Sequence, residues 1–333
     1  MDSEVEVALK LLLMGTGEFA CPTFTALLDG PHQVVGLVTQ PDRRGAGQHD
    51  HRHPLESLKV TCGERDIPVM QPRKVNDPES IATISALSPD LAVVAAYGQI
   101  LRPELIEVPR LGTINLHASL LPRHRGATPI HHAILSGDTR TGVSVFQIEP
   151  AVDTGPVLGM VQADIGPGET TGELHDRLAE LAVGVSLVVV DDLDAGTTTR
   201  LEQDDTRATR APRLTKSDAE IDWSVDVVAI DRHIRAMLPW PNPFTFLHSD
   251  DQEPRRLIIQ AVETGPACPG ASPGEVVVGE EIEGLVVGCE DGTVRILRLQ
   301  PEGRRSMDCE AFLRGSGRLE GAHLGPIDGS RSD

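Results

Sequence analysis

The stretch that decides the fold is Leu9-Lys10-Leu11-Leu12-Leu13-Met14, then Gly15-Thr16-Gly17-Glu18-Phe19-Ala20, then Val34-Val35-Gly36-Leu37-Val38-Thr39-Gln40. A short apolar run ends in a glycine-bounded turn, a helical stretch opens near Pro22, and a second apolar run follows. Strand, turn, helix, strand is the opening of a parallel sheet. The same alternation continues outward. Ile81–Leu87 has helical spacing and stops near Pro89, and Leu91–Ala96 is an unbroken apolar run that suits a central parallel strand. Thr113–Leu116 reads as a short strand, Thr128–Leu135 as a helix with Pro129 in its first turn, Val143–Ile148 as an alternating strand, and Glu173–Leu193 as a long helix with an apolar stripe. The expected class is α/β, a Rossmann-like, doubly wound, mostly parallel sheet.

Composition shifts near residues 195–220, where Thr197–Arg213 is polar and threonine-rich. A helix follows with Val227, Ile230, Ile234 and Met237 on one face, ending at Pro239-Trp240-Pro241. Beyond Phe244 come short alternating runs, Leu257–Val262, Glu275–Val278, Gly284–Gly288 and Thr293–Leu299, with Asp291-Gly292 as a hairpin signal. These predict a small C-terminal β-barrel, OB-like in kind. The expected division is an α/β domain over 1–195, a linker over 196–220, the barrel over 221–320 and a flexible tail over 321–333.

The 333 residues suit two domains. Thirty Lys and Arg against 50 Asp and Glu give a net charge of -20, and only Lys10, Lys59, Lys74 and Lys216 are lysines. Such a surface repels nucleic acid at long range, which argues against a dedicated DNA binder while leaving room for a local basic patch. No apolar run approaches the roughly 20 residues of a membrane span. Asp2, Glu4 and Glu6 precede the first apolar run, unlike a signal peptide, so a cytoplasmic, non-exported protein is expected. Five dispersed cysteines without CxxC spacing fit a reducing compartment and no structural zinc.

Gly15, Gly17 and Ala20 fit G-x-G-x-x-G/A after a first strand, the pattern that places a pyrophosphate on a helix N-terminus. That chemistry also wants an acidic residue ending the second strand. Here the strand ends Thr39-Gln40-Pro41, Asp42 comes two places late, and Glu18 puts a carboxylate in the loop. Two readings stay open: a dinucleotide-dependent oxidoreductase, and a tight turn at the rim of some other crevice.

The strongest feature is the segment 113–126, TINLHASLLPRHRG. Asn115 and His117 lie two apart on a strand, so they share a face, and the strand ends there. An amide beside an imidazole can polarise a carbonyl and carry a proton; the plainer possibility is that both satisfy backbone groups. Val152-Asp153-Thr154-Gly155-Pro156 supplies a carboxylate in a turn after a later strand. Asp153 beside His117 would fix the ring's tautomer and stabilise its cation. With no evident nucleophile, an Asn115, His117, Asp153 set suits direct group transfer; Ser119 reads as shaping the site.

The segments NLHASLLPRHRGATPIHHAILSGD (115–138) and GVSVFQIEPAVDTGPVL (142–158) resemble the folate-dependent formyltransferase family, which carries N-x-H-x-S-L-L-P-x-x-R-G and a later D-T-G. Further matches are TQPDR at 39–43, AYGQIL at 96–101, RLTKSDAEIDWS at 213–224, IRAMLPWPNPFT at 234–245 and LQPEGRRSMDCEAFLRG at 299–315. The resemblance implies 10-formyltetrahydrofolate as co-substrate and no metal. The late matches imply initiator methionyl-tRNA as acceptor and the barrel as a tRNA-binding domain. It implies Asn115 and protonated His117 as oxyanion donors, with His117, steered by Asp153, as proton shuttle. It further implies folate contacts at Tyr97, Gly98, Gln99, Ile100, Ser119, Leu120, Leu121 and Pro122. Phe19 would lie at the rim, and Arg125 and Gly126 at the acceptor wall. The protein is expected to be a monomer without membrane or DNA partners.

The family's basic loop after TQPDR here carries Arg43, Arg44 and Arg52 but no lysine, with His49, His51 and His53 interleaved. Gly17 stands where proline is common and His124 where an aromatic is usual. Arg304 and Arg305 are a candidate phosphate contact inside an acidic barrel. The weakened basic loop and the acidic barrel keep an amino sugar nucleotide open as acceptor. A non-catalytic RNA-binding protein would also fit the barrel, though it would have no use for the Asn115, His117, Asp153 set.

Overall fold

β1 (Lys10–Gly15) is buried at every residue but its first, as its unbroken apolar run requires. It starts the first of two sheets in a computed structural model that describes residues 8–42, 54–249, 252–266, 268, 270–278, 284–316 and 319–327. After it come α1 (Cys21–Leu28), β2 (Gln33–Val38), α2 (Pro54–Glu64), β3 (Val69–Met70), α3 (Pro78–Ala86), β4 (Leu91–Ala95), α4 (Pro103–Ile106) and β5 (Thr113–His117). The chain continues through β6 (Arg125–Gly126), α5 (Pro129–Leu135), β7 (Arg140–Gln147), β8 (Val157–Asp164), α6 (Thr171–Ala195) and β9 (Arg210–Ala211).

The sheet order is β3-β2-β1-β4-β5-β7-β8. Its first five strands pair in parallel. β7 and β8 add antiparallel. The winding reverses between β1 and β4, the switch point outside whose carboxyl ends open α/β sheets bind ligands. β4 sits at the centre of the sheet with all five residues buried. One face packs Leu12, Met14, Val38, Ile84, Val94 and Leu105 into a common core. Burying each such side chain contributes about 1.5–3 kcal/mol. β8 is an edge strand with Met160, Gln162 and Asp164 exposed.

The chain forms two compact units: Met1–Pro129 with Arg140–Asp164 and His175–Pro212, and Ile130–Thr139 with Ile165–Leu174 and Arg213–Asp333. The first turn of α6 belongs to the second unit and is capped reciprocally. Thr170 N donates to Glu173 Oε2 at 2.9 Å and Glu173 N to Thr170 Oγ1 at 3.3 Å. The backbone bond from Thr170 holds the Glu173 carboxyl below its ordinary range.

In the second unit α7 (Val227–Ala236) is capped by Asp226, which accepts from Ala229 N at 2.8 Å. The strands are β10 (Phe244–Ser249), β11 (Gln252–Gly265), β12 (Val276–Val277), β13 (Leu285–Gly288), β14 (Thr293–Pro301) and β15 (Met307–Asp308). α8 (Cys309–Ser316) and β16 (His323–Gly325) complete it. The order β12-β13-β14-β11-β10-β16 closes on itself through a bridge between Glu275 and His323. Val276 N donates to Ala322 O at 3.0 Å and Leu324 N to Gly274 O at 2.7 Å. The interior holds Trp223, Ile230, Ile234, Leu257, Ile259 and Ile296. The Trp223 indole N–H reaches Thr245 Oγ1 at 3.0 Å.

Two expectations change. The tail expected from Gly321 contributes β16 before the described residues end, because Leu324 is buried (2% exposed) and pairs with Leu247 while His323 and Gly325 pair with His248 and Phe246. The stretch expected as a linker is anchored. Its buried residues are Ala211 (0%), Leu214 (8%) and Ala219 (0%), and β9 pairs in parallel with β6.

Candidate active site

Gly15 ends β1 where it passes close to β4. A Cβ there would lie 2.7 Å from Ala95 O and 2.8 Å from the Phe24 ring, so strand packing alone requires glycine. Thr16 Oγ1 donates to Tyr97 O at 3.2 Å and accepts from Gln40 N at 3.0 Å, and Gln40 Nε2 adds a bond to Tyr97 O at 3.0 Å. The turn is a tie between β1, β2 and the loop after β4, in line with the tight-turn reading of Gly15-Thr16-Gly17.

That loop is bent by Ala96 (φ +47°) and Gly98 (φ +83°), both exposed. Gln99 braces it: Oε1 accepts from Val75 N at 2.9 Å and Nε2 donates to Pro72 O at 3.2 Å. Ile100 is 75% exposed, whereas the Tyr97 ring is buried among Leu12, Met14 and Val94. Burial pushes the Tyr97 phenol up to about 12, and its hydroxyl has no partner among the described residues. An unpaired buried hydroxyl costs about 1–3 kcal/mol. Tyr97→Phe is therefore expected to leave the melting temperature unchanged or raised, as thermal melting would show. A lowered melting temperature would show the hydroxyl to be bonded after all.

Asn115 and His117 sit at the carboxyl end of β5; Asn115 pairs with Val94 of β4 and Phe146 of β7, and His117 with Ser144 of β7. Asn115 is half-buried, and its carboxamide bonds no other described residue. His117 is 5% exposed and packs edge-on to Phe146. Its Nε2 lies 2.9 Å from His124 O. A carbonyl only accepts, so Nε2 carries a proton and Nδ1 is the nitrogen left for proton traffic. Nδ1 faces Asp153 Oδ2 at 3.7 Å, too long for a direct hydrogen bond and close enough for charge attraction. The His124 carbonyl therefore sets the ring's tautomer, a task that the residue pattern alone assigns to Asp153.

Asp153 is held in the left-handed region (φ +55°), with Gly126 N donating to Oδ2 at 2.8 Å. Gly126 itself (φ +130°) lies where a Cβ would meet Ala211 O at 2.3 Å. A strap over residues 201–211 underlies both groups. Gln203 Nε2 donates to Asp153 O at 2.9 Å and to Gly155 O at 2.7 Å. Thr209 Oγ1 accepts from His124 N at 2.8 Å. Neither Gln203 nor Thr209 stands out in the sequence. Arg125, expected at the acceptor wall, turns its guanidinium onto Gln203 and Asp205.

Ser119 is buried (0% exposed), donating to Arg123 O at 2.7 Å, while Ser144 Oγ donates to Ser119 O at 2.7 Å. These bonds shape the turn that carries Leu120, Leu121 and Pro122, of which only Leu121 is fully buried. Phe19 is buried against His175, with ring centroids 5.6 Å apart. Arg304 and Arg305 are exposed after β14. Arg43, Arg44, Arg52, His49, His51 and His53 lie outside the described residues. A cavity of about 930 Å³ between α1, α2 and α6 is lined by Glu18, Cys21, Arg65 and His175, but by none of Asn115, His117 and Asp153. Among the described residues no cluster of His, Cys, Asp and Glu could hold a metal, and no helix is long and apolar enough to cross a membrane.

Residues 9–190 match the formyl transferase family model, and residues 213–317 match that of the formyl transferase C-terminal domain. A methionyl-tRNA formyltransferase from Geobacter metallireducens is 42% identical over 319 residues, covering 95% of this chain and 99% of that protein. Among solved structures, an N-formyltransferase from Helicobacter canadensis, in complex with folinic acid and dTDP-3-aminofucose, superposes with a TM-score of 0.61 at 16% identity. That match covers 86% of this chain and 97% of the other. HypX from Aquifex aeolicus in complex with tetrahydrofolic acid gives 0.58 at 15% identity, over 92% of this chain and 47% of that one. At these identities the two structures speak to the fold.

Proposed function

This chain belongs to the formyl transferase family, and on that premise we propose that it moves the formyl group of 10-formyltetrahydrofolate to the α-amino group of initiator methionyl-tRNA. The attacking amine forms a bond to the formyl carbon, the carbonyl oxygen takes up negative charge, and the folate N10 leaves as that charge returns. Asn115 donates to the developing oxygen, as does His117 when protonated. The amine must lose a proton and N10 must gain one. His117 Nδ1 carries it, directly or through one water, and the Asp153 carboxylate at 3.7 Å stabilises the charged ring. The observation that carries this reading is the His117 ring, facing the Asp153 carboxylate at 3.7 Å from the strand end that also bears Asn115, in a chain 42% identical over nearly its whole length to a relative of that name.

The folate co-substrate fits the loop after β4. Its exposed Ala96 and Gly98 leave backbone groups to read a pterin edge, and Gln99 and Ile100 extend the same loop. The turn Ser119–Pro122 forms the opposite wall and Phe19 the rim. On this reading the α/β unit, with the strap through Pro212, carries the chemistry, and the barrel, β16 included, binds tRNA, with Arg304, Arg305, Arg43 and Arg44 contacting phosphate. The protein works as a monomer in the cytoplasm.

The test is release of tetrahydrofolate from 10-formyltetrahydrofolate with charged initiator tRNA, and separately with an amino sugar nucleotide. Turnover is expected with the tRNA alone. Turnover with the sugar and none with the tRNA would overturn the acceptor assignment while leaving the chemistry intact.

A further inference from the structure

We propose that Gln203 is a positioning residue for the Asp153 carboxylate, locked in place by Arg125; the inference rests on the catalytic reading given above. Asp153 stands at φ +55°, where a non-glycine residue persists only if its surroundings hold it. The Gln203 carboxamide supplies that hold by bridging the carbonyls of Asp153 (2.9 Å) and Gly155 (2.7 Å), on either side of Thr154. Its oxygen accepts from Arg125 Nε at 3.0 Å and from a terminal guanidinium nitrogen at 2.8 Å. All four hydrogen-bonding positions of the amide are thus filled. A flipped amide would set its NH₂ against the guanidinium and its oxygen against two carbonyls. Asp205 holds the same Arg125 nitrogen at 2.8 Å. Gly126, next to Arg125 on β6, donates to the Asp153 carboxylate itself at 2.8 Å. Two adjacent residues and one strap residue therefore fix both the backbone and the carboxylate of Asp153.

The role separates by chemistry. Gln203→Met removes the bridge and the Arg125 partner together. Gln203→Glu keeps the Arg125 partner as an ion pair, which protects the fold, but aims an oxygen at two carbonyls. Both variants are made in the parent chain and in an Asp153→Asn background, checked by thermal melting, and assayed with 10-formyltetrahydrofolate and methionyl-tRNA. A misplaced catalytic group costs up to about 100-fold, so kcat is expected to fall roughly 10- to 100-fold while KM for both substrates stays within about twofold. In the Asp153→Asn background the same substitutions should change kcat by less than about twofold, because Gln203 acts through Asp153. A Gln203→Glu protein with parental kcat overturns the proposal, as does an equal loss in both backgrounds. So does an Arg125→Met variant that raises only the KM for tRNA, which would make Arg125 an acceptor contact. Full activity in Asp153→Asn alone overturns the catalytic reading and the positioning role with it; loss there beside unimpaired Gln203 variants sinks the positioning role only.

Discussion

Replacing His117 by alanine is expected to lower kcat by roughly 10²–10⁴-fold, the range for losing a positioned proton carrier. The ring's geometry makes the loss large. Nε2–H is committed to His124 O at 2.9 Å, so one nitrogen, Nδ1, serves the reaction, and no second described histidine or carboxylate is bonded to that ring to replace it. The substitution also removes a hydrogen bond to the buried His124 carbonyl, so folding is monitored by thermal melting alongside the kinetics. Single-turnover release of tetrahydrofolate at saturating methionyl-tRNA isolates the transfer step. A variant that is folded and transfers within about tenfold of the parent rate would remove His117 from the chemistry.

Asn115→Ala separates chemistry from stability more cleanly. Its carboxamide bonds no other described residue, so truncation breaks no internal hydrogen bond and the melting temperature should hold. Losing one donor aimed at developing negative charge costs roughly 10²–10³-fold in kcat. Uniform ground-state binding would behave differently, raising KM with kcat retained. An intact kcat in Asn115→Ala, or a parallel collapse of the melting temperature, would place the amide in the framework of β5 and outside the oxyanion site.

Much of this arrangement is readable from the residues. Leu91–Ala95 is apolar throughout and lies at the middle of the sheet, because only a strand covered on both faces tolerates such a run. Asn115 and His117 share a face because strand periodicity dictates it. The direction of a neighbouring strand leaves no such local mark, so the antiparallel addition of β7 and β8 is legible only in the fold. The strap is illegible for a related reason. Gln203 and Thr209 act through hydrogen bonds to carbonyl and amide groups 48, 50 and 85 residues away, which carry no periodic signal, and their polar neighbourhood reads as a connector. Gly126 likewise makes sense only once Ala211 lies against it.

The closure of the second sheet has a bearing on biosynthesis. The segments of the first unit have all been synthesised once Pro212 has been made, so its core can consolidate while the rest of the second unit is still being completed. The other sheet keeps two open borders until His323–Gly325 arrive to join Phe246–His248 and meet Glu275. Bare strand borders invite pairing with other chains. The nascent polypeptide therefore carries its greatest liability to aggregation in the interval between synthesis of β10 and delivery of the short strand that seals the ring.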